Sequence, residues 1–505
     1  MSCTLGVDIG TYQTKAALVD AEGRVLATAA RDHEMIVPRA GWAEHRAEED
    51  WWGDFVAVTR AVLRKADMPP KAVKAVACSA IGPCMLPVDA ADRPLMNAIL
   101  YGVDTRAAAE IGELTARIGE QTLVARCGNA LTSQSVGPKI LWFARNRPEI
   151  WGKTARVLTS TSYLVAKLTG EHVIDHYTAA NFTPLYDIGA KDWCHDLAPG
   201  LIAPEALPRL LWSGEVAGEV TREAAEETGL AAGTPVTAGT IDAAAEAVSV
   251  GLSRPGEMMV MYGSTIFIIT LAARRLADGR LWAAPWMAPG AEAAMAGLAT
   301  SGTLTHWFRD NFARELDRDG AFAALAAEAA ESPPGANGLL FLPYFSGERT
   351  PIHDPAAKGT FFGLNLTHRR GDLYRALLEG IAHGTNHVVD TFAGNDARPE
   401  RLLAVGGGVK NPLWLQATSD ITGLPQTVRE VTLGASFGDA FLAAQAAGLA
   451  RPADIEAWNP VARTVEPAAH PVYPRHDALF RRLYLQTRDI MAELDAEDLA
   501  LSEGG

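Results

Sequence analysis

The sequence predicts an α/β protein of two domains, and three observations lead there. The chain has 505 residues, more than one hydrophobic core usually serves. Strand-like and helix-like segments alternate along it. A strand-turn-strand unit around Asp8-Ile9-Gly10-Thr11 returns around Tyr262-Gly263-Ser264-Thr265, each time after an apolar run. The pattern restarts after Ser253-Arg254-Pro255-Gly256, which gives domains 1–252 and 253–485 and an acidic tail, 486–505.

Thr4–Ile9 and Lys15–Asp20 read as strands, and the turn Ala21-Glu22-Gly23 leads into Arg24–Ala30 to complete a meander. Glu49–Lys65 has a helical period that stops before Met68-Pro69-Pro70, and Val73–Ser79 has the apolar content of a buried strand. Ala108–Ile118 and Pro138–Asn146 follow as helices. Pro235–Gly239 reads as a strand and Asp242–Val250 as a helix capped by its first carboxylate. In the second half Met258–Tyr262 and Ile266–Leu271 are strands. Thr303–Leu316, Ala321–Ala330, Asp372–Ala393, Pro412–Ile421 and Gly434–Ala447 are helices. Pro-Pro-Gly at 333–335 and the proline-rich span 452–474 read as loops, and Glu493–Gly505 as a frayed end.

Composition narrows the function. A formal charge of −15 would repel a phosphodiester backbone, so nucleic acid is not an expected partner. Five cysteines without CxxC spacing argue against a disulfide framework or a zinc ribbon and fit a reducing cytoplasm. Met1-Ser2-Cys3-Thr4 lacks the basic and apolar regions of a signal peptide, and no run of about 18 apolar residues is visible, so no membrane partner is expected.

Each glycine-hydroxyl turn lets backbone N–H groups approach an anion, and each, taken alone, is as well explained by an ordinary hairpin turn. The Walker pattern GxxxxGK[ST] is absent, and the first loop joins two strands rather than a strand and a helix. Gly406-Gly407-Gly408 follows the strand-like Leu402–Val405 and precedes Asn411-Pro412, a helix-start signal. Backbone there can lie flat against a nucleoside, and the G-x-G-x-x-G form of a dinucleotide site is not matched. Asp242 suits either a cap or a general base. His383 and His387 lack the glutamate of HExxH, and Cys194-His195 lacks a partner acid. Trp51-Trp52 reads as packing and Glu348-Arg349 as an ion pair.

These segments together resemble the FGGY carbohydrate kinases, within the sugar kinase, actin and heat-shock-70 superfamily. The resemblance starts at Asp8–Lys15. It continues through Trp51-Trp52, Pro138-Lys139-Ile140-Leu141-Trp142, Gly239–Ala243, Gly302 before Trp307-Phe308-Arg309-Asp310, Ser346–Pro351, Phe361–Leu364, Leu378-Glu379-Gly380 and Gly406–Asn411. It implies two ribonuclease-H-like (actin-like ATPase) domains flanking an ATP/sugar cleft, and transfer of the γ-phosphoryl group of ATP to a sugar hydroxyl. Asp242 is then the general base, and Asp8 holds Mg²⁺, through water because that ion dehydrates reluctantly. Gly10, Thr11, Thr14, Lys15, Gly263, Ser264, Thr265, Gly302, Gly407, Gly408 and Asn411 would bind ATP.

The acceptor would meet Ser79, Ile81, Gly82, Asp104, Arg106 and Asp242. For Asp104 and Arg106 a helix-start cap and a salt bridge fit equally well. Xylulokinases are the nearest flavour, which implies a pentulose. Yet Cys78–Met85 stands where they carry Gln-Met-His-Gly, and the Arg-Glu pair of glycerol kinases is missing there too. Other ketoses, alditols and aldonic acids stay open, as does a homodimer. The alternative of another class is a non-catalytic, chaperone-like ATP-binding clamp.

Overall fold

The structure, a computed structural model, describes residues 2–503, with side chains described through 497. The chain forms two compact units. One comprises Met1–Ser253, Leu271–Ala294 and Leu433–Pro460; the other comprises Arg254–Thr270, Met295–Thr432 and Val461–Gly505. The chain therefore passes between units more than once, where the sequence predicts one contiguous boundary.

In the first unit the strand order is Val216–Glu219, Pro235–Thr237, Val73–Ala80, Cys3–Ile9, Gln13–Asp20, Val25–Asp32, with Thr240–Ile241 also paired to Val73–Ala80. Cys3–Ile9 is buried throughout, so its alternating side chains have separate duties. Leu5, Val7 and Ile9 face a core with Trp51, Phe55, Val58 and Val62, from the segment Ala47–Gly53 and the helix Asp54–Lys65. Gly6 and Asp8 point to the opposite face, where the helix Ala435–Ala446 lies. A Cβ on Gly6 would stand 2.0 Å from the Ser436 carbonyl oxygen. Only glycine admits a helix backbone that close.

The second unit repeats the plan. From Glu292–Leu298 inward, the strands of its seven-stranded sheet run Ile266–Ala272, Glu257–Tyr262, Arg401–Val405, Gln426–Arg429, Val461–Val465. In both units the central strand pairs antiparallel with the strand that follows it and parallel with a distant one. The next pair outward is parallel and the last antiparallel. This shared order supports the duplication that the sequence hints at. The helix Arg370–Ala393 is buried over most of its length and begins with the Asp372 carboxylate accepting the Arg369 N–H at 2.8 Å.

Two sequence expectations need correction. Val461–Val465, inside the expected proline-rich loop, is a strand paired with Gln426–Arg429; the prolines at 460 and 467 flank it and so cost no ladder bond. The expected tail from 486 belongs instead to the helix Val472–Glu503. Phe480, Leu483, Tyr484 and Met491 pack with Leu340, Leu342 and Tyr344, and Lys358 Nζ meets Asp495 at 2.7 Å. Burial of this stripe outweighs the acidic composition. Residues 504 and 505 of that expectation lie outside the described residues. Among the described residues, no helix is long and apolar enough to cross a membrane.

Candidate active site

The chemistry of the first unit gathers at the end of its central strand. Asp8 stands opposite Lys15 on the antiparallel neighbour and beside Ser79 on the parallel one. Ser79 Oγ lies 3.1 Å from Asp8 Oδ1 and 2.7 Å from Asp439 Oδ2. Thr240–Ile241 extends the sheet beside Ser79 and Ala80 and delivers Asp242 as the first residue of the helix Asp242–Ser249. Ile241 is the N-cap, so Asp242 sits one position further in than the sequence predicts; its Oδ1 accepts the Ala243 N–H at 2.8 Å. Glu246, one turn on along the same face, accepts the Ala435 N–H at 3.2 Å.

Four carboxyls thus crowd one region, and their proton affinities rise. Burial lifts Asp8 to about 6, against the pull of Lys15 and the Ser79 hydroxyl. Burial and then the charge of Asp8 hold Asp242 well above the usual carboxylate range and bring Glu246 to about 7. Asp439 is held well above that range too, by burial first, with the Asp8 and Asp242 charges adding to it. A cation brought among these carboxyls would favour their ionised forms. Among the described residues no three His, Cys, Asp or Glu side chains converge as a direct metal cage. Carboxyl oxygens are hard donors of the kind that suit Mg²⁺.

The loop after Asp8 is tied down through its carbonyls. Gly10 donates its N–H to the Gln13 carbonyl at 3.0 Å. His33 Nε2 lies 3.0 Å from the Gly10 oxygen while its Nδ1 faces Asp54 Oδ2 at 2.9 Å. Burial works against charge on His33, but Asp54 and the Gly10 carbonyl hold its pKa above the ordinary imidazole value. His45 Nδ1 accepts the Trp51 indole N–H at 3.1 Å, which leaves Nε2–H to donate to the Thr11 oxygen at 3.1 Å. Burial, with the His33 charge, lowers His45 to about 4, so it serves as a neutral donor. The sequence reading missed both histidines because they lie in a loop and a short strand without any motif.

Several expected contacts have other work. Thr14 is fully buried, and its hydroxyl donates to Asp54 Oδ2 at 3.1 Å; it faces the core because it alternates with Lys15. Ser79 is also fully buried and spends its hydroxyl between two carboxyls. The Ile81 side chain is buried, and its N–H donates to the Ile9 oxygen at 2.7 Å. The Asp104–Arg106 pair is structural. Asp104 Oδ2 accepts the Ala43 N–H at 2.7 Å, and Arg106 Nη2 bridges to Asp104 and Glu44 at 2.8 and 2.9 Å. The Arg106 guanidinium also lies 3.9 Å over the Trp42 ring, stacking that desolvates it fully.

Gly82, half-buried, remains next to Ile241. Thr11 Oγ1 is 3.4 Å from the Tyr101 hydroxyl. Tyr101 is in turn fixed from behind by Lys139, whose Nζ donates to the Leu100 and Tyr101 oxygens at 2.6 and 3.1 Å. Burial lowers Lys139 to about 8.

The second unit holds a cavity of about 730 Å³. Gly263, Ser264, Gly302, Gly407, Gly408 and Asn411 line it, with Thr305, Phe322, Ala326, Lys410, Tyr374 and Trp414. The Gly263 oxygen accepts the Gly302 N–H and the Ser301 hydroxyl, both at 3.0 Å, and the Ser264 oxygen accepts Thr303 Oγ1 at 3.0 Å. A Cβ on Gly302 would stand 2.4 Å from the Gly263 oxygen. Thr265 closes the turn by accepting the Gly263 N–H at 3.1 Å. Asn411 caps the helix Pro412–Thr422 with its Oδ1, taking the Leu413 and Trp414 N–H groups at 3.1 Å each. The apolar lining from Phe322, Ala326 and Trp414 was not legible, since helix-spaced apolar residues read as core.

Comparison with known proteins agrees with this arrangement. Residues 3–249 match the N-terminal domain, and 258–447 the C-terminal domain, of the FGGY family of carbohydrate kinases. A xylulose kinase of Lactococcus lactis is 30% identical over 453 residues, covering 89% of each chain. One from Escherichia coli is 29% identical over 498 residues, covering 97% of this chain and 100% of its own. The crystal structure of xylulose kinase from Rhodospirillum rubrum is 33% identical, with a TM-score of 0.90, over 97% of this chain and 99% of its own. The chain belongs to the FGGY family of carbohydrate kinases, ATP-dependent phosphotransferases that act on a sugar hydroxyl.

Proposed function

We propose that this carbohydrate kinase phosphorylates a neutral pentulose, with Asp242 as general base. The supporting observation is the half-buried Asp242 carboxylate at the start of its helix, its proton affinity raised first by burial and then by the like charge of Asp8. A base so tuned takes a hydroxyl proton as the oxygen attacks phosphorus, worth about 10²–10⁴-fold in rate. Tyr101, Gly82 and Thr11 line the approach on the same unit. An aldonic acid would need a cation to meet its carboxylate, whereas Lys139 is committed to buried carbonyls and Arg106 is already paired with Asp104 and Glu44, its Nη1 alone lacking a partner among the described residues. A neutral acceptor fits better, and a pentulose agrees with the xylulose kinases among the relatives.

Asp8 would hold Mg²⁺ through water, with Lys15 opposite it as a point charge. The ion, when bound, would neutralise β- and γ-phosphate oxygens. With the Gly10 N–H held by the Gln13 carbonyl, Thr11 presents its backbone N–H to the phosphates, and the second unit's cavity takes the nucleoside, with Gly407 and Gly408 under it and the Asn411 amide as donor. Five free, buried cysteines suit a reducing compartment, and the cytoplasm is the proposed location.

The test is ADP release with a panel of ketoses, alditols and aldonic acids. The expected result is sugar-dependent turnover highest for a pentulose. ADP release indifferent to every sugar would favour the clamp reading, and a preference for an aldonic acid would refute the neutral acceptor.

A further inference from the structure

The Asp439 carboxyl has no role in the reading so far, yet it is fully buried within one hydroxyl of Asp8. Its location is tightly built. The helix Ala435–Ala446 is pressed onto the central strand at Gly6, where a Cβ would stand 2.8 Å from Asp439 Cβ. It is pressed onto the helix that begins with Asp242 at Gly438, where a Cβ would stand 1.9 Å from the Ala245 oxygen. Thr4 Oγ1 donates to the Ala440 oxygen at 2.8 Å and fixes the height of the helix on the strand. Asp439 is held between the elements that carry Asp8 and Asp242.

Proton counting then sets the direction of the contacts. Ser79 Oγ carries one proton but stands 3.1 Å from Asp8 Oδ1 and 2.7 Å from Asp439 Oδ2. One hydroxyl proton serves one strong bond, so both contacts are full hydrogen bonds only when one of the carboxyls itself donates to Ser79. Asp8 stands opposite the Lys15 cation on the neighbouring strand. Asp439 is fully buried, and its Oδ1 has no hydrogen-bond partner among the described residues. An ionised carboxylate there would be costly.

We propose that Asp439 is a positioning residue: its carboxyl O–H donates to Ser79 Oγ, Ser79 donates to Asp8 Oδ1, and this chain fixes the orientation of the Asp8 carboxylate toward the metal and phosphates. The proposal rests on the reading of Asp8 given above. The chain holds one oxygen of Asp8 from behind and leaves the other for the outward ligand. A misplacement of about 1 Å at a reacting centre costs on the order of 10²-fold in rate.

Infrared spectra and kinetics of four variants test it. Asn at 439 keeps a donor of the same shape, so Asp439→Asn is expected to retain kcat within about threefold. Asp439→Ala and Ser79→Ala, which break the chain, should lower kcat about 10- to 100-fold and raise the Mg²⁺ concentration for half-maximal rate. The spectrum of the intact enzyme at neutral pH should contain a protonated-carboxyl C=O band that Asp439→Asn removes and Ser79→Ala shifts. A band unchanged in Asp439→Asn would overturn the proposal. So would an Asn variant as slow as the Ala variant, or an Ala variant as fast as the wild type. Should Asp439→Ala fail to fold, the infrared comparison and the Asn variant still decide. Wild-type turnover in Asp8→Asn would instead refute the reading of Asp8, with the band still reporting on the chain.

Discussion

Replacing Glu348 with glutamine should remove a pH dependence that the wild-type protein carries in its second unit. Glu348 is buried. Its Oε1 accepts the Ala299 and Arg349 N–H groups at 2.7 and 2.6 Å, and its Oε2 has no partner among the described residues. The ion pair with Arg349 that the sequence predicts is thus a backbone anchor, holding the segment that leads to Ser301 and Gly302 beside the cavity. Burial raises this carboxyl from 4.5 to about 8, against the two N–H donors that favour its charge. Between those values the native state binds more protons than the unfolded state, so stability falls as pH rises through that window and levels off above it.

One pKa unit is worth about 1.4 kcal/mol, so from pH 5.5 to 7.5 the wild type should lose about 2–3 kcal/mol from this group. In Glu348→Gln the amide oxygen keeps both N–H bonds, and its NH₂ takes the place of a carboxyl O–H that was equally unpartnered. That variant should lack the loss. Denaturant unfolding of both proteins at the two pH values, followed by a probe in the second unit, measures the difference. An equal loss in the two proteins would show that Glu348 ionises without penalty, and the burial reasoning would fail.

Four further outcomes are expected. Asp242→Asn should lower kcat by about 10²–10⁴-fold with an unchanged melting curve; survival within tenfold would remove it as the base. Gly302→Ala, whose methyl would meet the Gly263 oxygen at 2.4 Å, should raise KM for ATP at least about tenfold and leave acceptor KM in place, checked by initial rates. Thr14→Val should cost about 1–2 kcal/mol in unfolding experiments, because the bond to Asp54 is lost, while KM for ATP stays within about twofold. Arg106→Lys cannot reproduce the fork to Asp104 and Glu44 or the stack on Trp42, and should destabilise by about 2–3 kcal/mol in denaturant titrations.

The legible parts of the site were those where one residue type answers one local demand. Asn411-Pro412 announced a helix start, and Asn411 caps that helix. Gly302, taken only from resemblance, lies against Gly263 because no side chain fits there. Asp242 was readable as the start of a helix, and the error of one position reflects a first turn without a side-chain cap. Failures came where a contact joins distant segments. For Asp104 and Arg106 the sequence left hydroxyl binding and a local salt bridge equally open, and it is the contacts with Glu44 and Trp42, about sixty residues earlier in the chain, that favour the salt bridge. Thr14 sits in the phosphate motif by spacing, but strand alternation turns it inward. Asp439, 360 residues from Ser79, had no local signal, since an aspartate in a small-residue helix also suits a solvated face.

The repeated sheet explains why the two units do different work. Near the end of the first unit's central strand, Asp8 is flanked by Lys15 and Ser79. At the corresponding place in the second unit, one residue before the end of its central strand, Met261 is flanked by Phe267 and Val405. The same backbone frame therefore offers a carboxyl, an ammonium and a hydroxyl in one copy and three apolar side chains in the other. An apolar triad cannot compensate a cation or move a proton, so on the reading proposed above the second turn offers the phosphates only N–H groups and hydroxyls, and acid-base work falls to the first unit. The strands beyond follow the same division. Val405 leads into Gly406–Gly408 and the cavity, whereas Ser79 and Ala80 lead the chain past Ile81 to Gly82 beside Ile241 and Asp242. Duplication supplied the geometry twice, and three side chains at matching positions assign the chemistry to one copy.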